Sequence, residues 1–179
     1  LTGLQSLRHL EMRLNRNSDQ LSHLATPGAL PKLCRWTIHG IDDDSAEHLG
    51  QTPMLEQLLD LDLPLVEGGP LLTSQGARGL LASGRFKNLR RLRLDGSDAK
   101  QTLEVIASSP LPKLRHLILA SHRPEVEELH TLANSEGLPE LQTVTIWEPD
   151  YETFVTRRDE MQSHFLLVNR YVVRAHPSG

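Results

Sequence analysis

Nine histidines, one cysteine and a scatter of carboxylates are the residues of this chain that could hold a metal, move a proton or attack an electrophile. His122 and His130 stand eight apart with Glu125, Glu127 and Glu128 between them. Glu127 precedes His130 by three, the spacing that sets a carboxylate and an imidazole on one helix face in carboxylate-bridged metal sites. Such a site takes a second Glu-x-x-His, which the sequence lacks; it also lacks His-Glu-x-x-His and paired cysteines. His122 therefore reads as a helix-capping residue and His130 as solvent-facing. Cys34 belongs to no nucleophile and base pattern and reads as an idle thiol. There is no Gly-x-Ser-x-Gly, and Gly68-Gly69-Pro70 lacks the Lys and Ser/Thr of a phosphate loop. The expectation is a protein that is not an enzyme, with no catalytic residues, no metal and no cofactor.

Composition narrows the remaining classes. The chain has 179 residues, about one domain's worth on a scale of roughly 100–200 residues per domain. Hydrophobic residues make up 38% and charged residues 23%, which suits a folded domain and not a disordered segment. A formal charge of −4 lacks the basic excess of a phosphate-binding surface, so no nucleic acid is expected. No run approaches the roughly 20 apolar residues that cross a bilayer, and LTGLQSLRHL is not a secretory leader, so no membrane partner is expected. A lone Cys34 fits a reducing compartment, and a cytoplasmic location is the expectation. The decisive number is 34 leucines in 179 residues beside 4% aromatics. A core of that kind directs attention to repeats.

The spacing Leu-x-x-Leu-x-Leu, or a close variant, occurs six times. It begins at Leu7, Leu33, Leu58, Leu89, Leu114 and Leu141, in steps of 25 to 31 residues. Five copies follow similar lead-ins: LTGL, LPKL, FKNL, LPKL and LPEL. The third can also be started at Leu55, and Leu58 is the reading kept. Alternation predicts a short strand in each copy, with Leu10 and Met12, Trp36 and Ile38, or Leu92 and Leu94 pointing inward. Between strands the spacing turns helical, at Leu21/Leu24, Leu80/Leu81, Leu103/Ile106 and Val126/Leu129/Leu132/Ala133, preceded by capping candidates Ser18 and Asp19, Asp42 to Ser45, Thr73 and Ser74, Ser97 and Asp98. A strand and a helix per repeat make a solenoid whose parallel strands line a concave face, because one unit cannot bury its apolar faces alone. The longest step contains Gly68-Gly69-Pro70 and predicts a bulging loop. Repeat units are expected over 1–149, with further units upstream, and a capping helix and strand with a frayed tail over 150–179.

On those six copies the sequence resembles the leucine-rich repeat family, most closely the ribonuclease-inhibitor-like class with helices on the convex side. The family's ninth position is usually Asn or Cys; here it holds Asn15, Ile41, Val66, Ser97, His122 and Pro149, so the repeats are degenerate, of a kind associated with bacterial proteins. The resemblance implies an α/β leucine-rich repeat solenoid that binds protein on its concave face. Outward strand positions would form columns: His9, Arg35, Asp60, Arg91, His116 and Thr143; then Glu11, Thr37, Asp62, Arg93, Ile118 and Thr145; then Arg13, His39, Pro64, Asp95, Ala120 and Trp147. One reading is a solvated face of alternating charge. The other is a partner surface built on Arg35, His39, Arg91, Arg93, His116 and Trp147, since Trp and Arg dominate interface energetics. The expected function is a non-catalytic protein-binding module; the alternative is a structural spacer or regulatory repeat segment of a larger bacterial protein.

Overall fold

The computed structural model describes residues 4–14, 21, 28–66, 69, 72–96, 99–120 and 126–147. Six strands, β1 (His9–Arg13), β2 (Arg35–His39), β3 (Asp60–Leu63), β4 (Arg91–Asp95), β5 (His116–Ala120) and β6 (Thr143–Trp147), form one sheet in chain order. Every neighbouring pair is parallel. A parallel step needs a crossover, and the crossovers supply α1 (Asp43–Gly50) and a 3-10 turn (Pro53–Gln57), then α2 (Ser74–Leu81), α3 (Ala99–Ser108) and α4 (Val126–Ala133). Helices of successive units pack on one another as a second layer. The architecture is thus α/β, a six-stranded parallel sheet alternating with helices. Among the described residues no helix is long and apolar enough to cross a membrane.

Period-two alternation decides which side of the sheet meets the helices. Trp36, Ile38, Leu61, Leu63, Leu92, Leu94, Leu117, Leu119, Val144 and Ile146 are each at most 1% exposed. Burying one such side chain is worth about 1.5–3 kcal/mol, so a register slip of one residue on any of β2 to β6 would be prohibitive; on β1, Leu10 and Met12 are only half-buried. The observed partners are the expected columns, running from His9 through Arg35, Asp60, Arg91 and His116 to Thr143. Pro64 is the exception. The β2–β3 ladder stops at Thr37 and Asp62 and β3 ends at Leu63, because proline has no N–H to donate.

The repeat is longer than the sequence pattern suggested. Three residues before each first leucine stands another apolar residue, Leu4, Leu30, Leu55, Phe86, Leu111 or Leu138. In five of the six copies its carbonyl accepts from the first leucine's N–H, at 3.1–3.2 Å. Leu55 and Leu58 therefore belong to one copy, and Leu58 is its first strand-leading leucine. The carbonyl just before each strand then accepts two N–H groups from the next unit: Arg8 from Cys34 and Arg35, Cys34 from Leu59 and Asp60, Leu59 from Arg90 and Arg91, Arg90 from Arg115 and His116, Arg115 from Gln142 and Thr143, all at 2.8–3.1 Å. This ladder fixes the stacking step without side chains. It does not depend on the degenerate ninth positions: Ile41 is buried in the core and Val66 is half-buried, while the other four lie outside the described residues.

Of the capping candidates, Asp42 and Thr73 hold helix N-termini. Asp42 Oδ1 accepts from Ser45 N at 2.8 Å and Thr73 Oγ1 from Gln75 N at 3.1 Å. Thr73 is itself held by the preceding unit, its N–H and hydroxyl donating to the two Asp43 oxygens at 2.8 and 2.6 Å. Ser18, Asp19, Ser97, Asp98, Leu24 and the cap over 150–179 lie outside the described residues. So does most of the expected loop; Pro64–Val66, which enter it, are irregular, and the Leu65 N–H donates to Asp95 Oδ2 at 3.0 Å.

Close approach of α1 and α2 explains two glycines inside a helix. A Cβ on Gly76 would stand 2.7 Å from Asp43 Cα, and one on Gly79 would stand 3.1 Å from Glu47 Cα. Gly76→Ala gains about 1 kcal/mol of helix propensity but overpacks a backbone contact, which costs roughly 1–3 kcal/mol or more. The expected result is a lower urea midpoint for Gly76→Ala, with Arg78→Ala on the exposed side of the same helix close to wild type.

Candidate interaction surface

Residues between the buried positions face the other way, where no helix among the described residues covers them. On β2 to β4 this open face is a lattice of alternating charge. Asp60 takes Arg35 Nε at 3.1 Å on one side and Arg91 Nη1 at 3.0 and 3.2 Å on the other. Arg93 is gripped by Asp95, Nε to Oδ1 at 3.2 Å and Nη2 to Oδ2 at 2.8 Å. Asp62 sits between, 4.0 Å from Arg91 Nη1 and 3.7 Å from Arg93 Nε, within ion-pair range and beyond hydrogen-bond range. Three guanidiniums and three carboxylates thus neutralise one another across three strands. The arrangement follows from register: cations on adjacent parallel strands would stand about 4.8 Å apart, and Asp60 and Asp62 occupy the strand between Arg35 and Arg91/Arg93.

Burial grades the lattice. The Asp95 side chain is 2% exposed and Arg35 57%, so the cluster runs from the Leu65 turn outward into solvent. Asp62 is the strained member. One of its oxygens is buried with no hydrogen-bond donor, and burial pushes its carboxyl above the ordinary value of 3.8. The Arg93 and Arg91 guanidiniums pull it back, and the Asp60 and Asp95 carboxylates add to the rise.

Each residue singled out from the sequence can now be placed. Arg35, Arg91, Arg93 and His116 lie on the open face of three strands, β2, β4 and β5, and Arg91 and Arg93 are engaged by Asp60, Asp62 and Asp95. His39 is half-buried, its Nε2 2.9 Å from Glu11 Oε1 on β1. His116 is exposed and neighbours Ile118, Thr143 and Thr145, a half of the face without formal charge. The Trp147 backbone pairs with Ala120 at the end of β6; its side chain lies outside the described residues. Trp36 is core, as its inward position required. Cys34 is half-buried, its thiol 3.4 Å from the Arg8 carbonyl. Among the described residues no three His, Cys, Asp or Glu side chains gather in a way that would hold a metal ion. Sequence columns named the lattice members correctly; the buried oxygen of Asp62 and the reach of Asp95 to the Leu65 turn had no sequence signal.

No protein-family model matches the chain, and no curated protein matches it. What the open face presents is shape and a pattern of carboxylates interleaved with guanidiniums.

Two stability outcomes follow. Asp60→Asn removes the negative charge that two guanidiniums share and replaces one acceptor oxygen by an N–H donor, and is expected to lower stability by roughly 1–3 kcal/mol. Asp62→Asn is expected to do the reverse at neutral pH. The folded state holds the Asp62 proton more tightly than the unfolded chain, so charged Asp62 costs stability above its folded pKa; that cost fades as pH falls through this value and is gone below 3.8. Urea midpoints should place Asp62→Asn at or above wild type at pH 7, with the gap closing as pH approaches 4. A gap that widens on acidification would remove desolvation as the dominant influence on Asp62.

Proposed function

We propose that this chain is a leucine-rich repeat segment acting as a non-catalytic protein-binding module, its strand face, concave in such solenoids, meeting the partner. The observation that carries the reading is a face of a wholly parallel sheet that no element among the described residues covers. Parallel sheets are ordinarily buried on both sides, and here one side is left to polar side chains. The six leucine-spaced copies and the carbonyl ladder between units support the family reading. Exposed Arg35 and His116, with the uncharged patch at Ile118, Thr143 and Thr145, supply the mixed chemistry of a protein interface. A second reading, a rigid spacer within a larger protein, is favoured by one observation: the lattice charges are satisfied by one another and need no partner.

The two readings part on affinity capture from a lysate of the source organism. Arg35→Glu with His116→Glu alters the open face, and Arg78→Glu with Lys100→Glu alters the helix layer at exposed positions. The expected result is a protein held by wild type and by the helix-layer variant and released by the open-face variant, with all three folded by circular dichroism. Loss with the helix-layer variant alone would move the interface to the helices. Nothing held by any of the three would favour the spacer.

A further inference from the structure

The turns that lead into the strands are stacked unit on unit by the carbonyl ladder, and together they form one rim of the sheet. This rim is basic although the chain's formal charge is −4. Arg85 and Arg115 are each paired there, with Glu56 and Glu140 at 2.9 Å. Five cations are left over. Arg8, Lys32, Lys87 and Arg90 are exposed with no acidic partner among the described residues, and Lys113 is exposed with its Nζ donating to Asn88 Oδ1 at 2.8 Å. They fall into two groups, one on the first and second units and one on the fourth and fifth. The third lead-in, Met54–Leu59, carries no cation, and Leu59 stands 38% exposed between the groups.

We propose that this rim docks a short acidic segment of a protein partner, with carboxylates on the two cationic groups and an apolar side chain on Leu59. Four strand steps of about 4.8 Å span roughly 19 Å, which an extended peptide at about 3.3 Å per residue covers with about six residues. A nucleic acid fits less well. Phe86, the aromatic of the described lead-ins, is fully buried and offers no ring for stacking, and the Asp60 and Asp62 carboxylates beside the rim repel a longer polyanion. The inference stands apart from the reading of the open face, because none of the five cations lies on a strand.

The probe is a fluorescein-labelled peptide, Glu-Glu-Glu-Leu-Glu-Glu-Glu, titrated with the 179-residue chain by fluorescence anisotropy. Its affinity should fall roughly tenfold between about 20 mM and about 300 mM salt, because exposed charges are screened over lengths of about 8 Å at physiological ionic strength. Lys87→Glu with Arg90→Glu and Lys113→Glu should weaken it by roughly tenfold more at low salt, and Leu59→Ser by a few-fold. Should the triple variant not fold by circular dichroism, Arg8→Glu with Lys32→Glu carries the same expectation at the other cationic group. Heptathymidylate, whose six phosphates match the six glutamates of the C-terminally amidated peptide, should bind more weakly than the peptide. No peptide binding by the folded wild type at low salt, affinity unmoved by charge reversal, or heptathymidylate binding as tightly as the peptide would each overturn the proposal.

Discussion

Stacking of one unit on the next, through a backbone carbonyl shared between two N–H groups, is the contact on which the rest of this molecule depends. Each strand is four or five residues long, too short to be stable by itself, and its inward leucines cover only part of the core. When the carbonyls of Arg8, Cys34, Leu59, Arg90 and Arg115 bridge to the following units, the steps become equal and the leucines of neighbouring units close over one another. No side chain enters this ladder. The ninth position can therefore hold Ile41 in the core, where a hydrogen-bonding ladder would need Asn, without loss of register.

Equal steps have an electrostatic consequence. Parallel strands carry the outward residues of successive units past one another at fixed spacing, so like charges in adjacent units cannot avoid each other. Asp60 and Asp62 between Arg35 and Arg91/Arg93 resolve the conflict on the open face. Their carboxylates are drawn partly out of water in doing so. Asp60 is compensated by three hydrogen-bond-length contacts to two guanidiniums, whereas Asp62 is compensated only at longer range and keeps an undonated oxygen. The same face thus combines a closely paired and a loosely paired carboxylate two residues apart. Along the rim the conflict is left unresolved, and cations there remain in solvent, where water and salt make repulsion tolerable.

The helix layer obeys a tighter constraint. The α1–α2 contact brings backbone within the reach of a single methyl group, and Asp43 ties the cap of one helix to the first turn of another. Small residues and a shared cap keep neighbouring helices at the spacing that the strands demand. Curvature of a sheet and helix assembly is set by the difference between those two spacings.

The sequence by itself determined the parallel strands, their inward leucines and the columns on the open face, because a period of two is a property of the strand and a repeat carries it from unit to unit. It also offered Asp42 to Ser45 and Thr73 with Ser74 as caps, where side-chain chemistry acts within two or three residues, and the structure chose Asp42 and Thr73 from them. Only the tertiary structure decided the third copy, since Leu55 and Leu58 both fit the pattern until the turn hydrogen bond between them assigns each its role. Gly76 and Gly79, which weaken a helix taken alone, acquire a role only from the neighbouring helix. Pairing within the lattice, the undonated oxygen of Asp62 and the gathering of distant lysines and arginines on one rim depend on which units touch. Such contacts join residues about 25 to 30 positions apart, and only stacking brings them together.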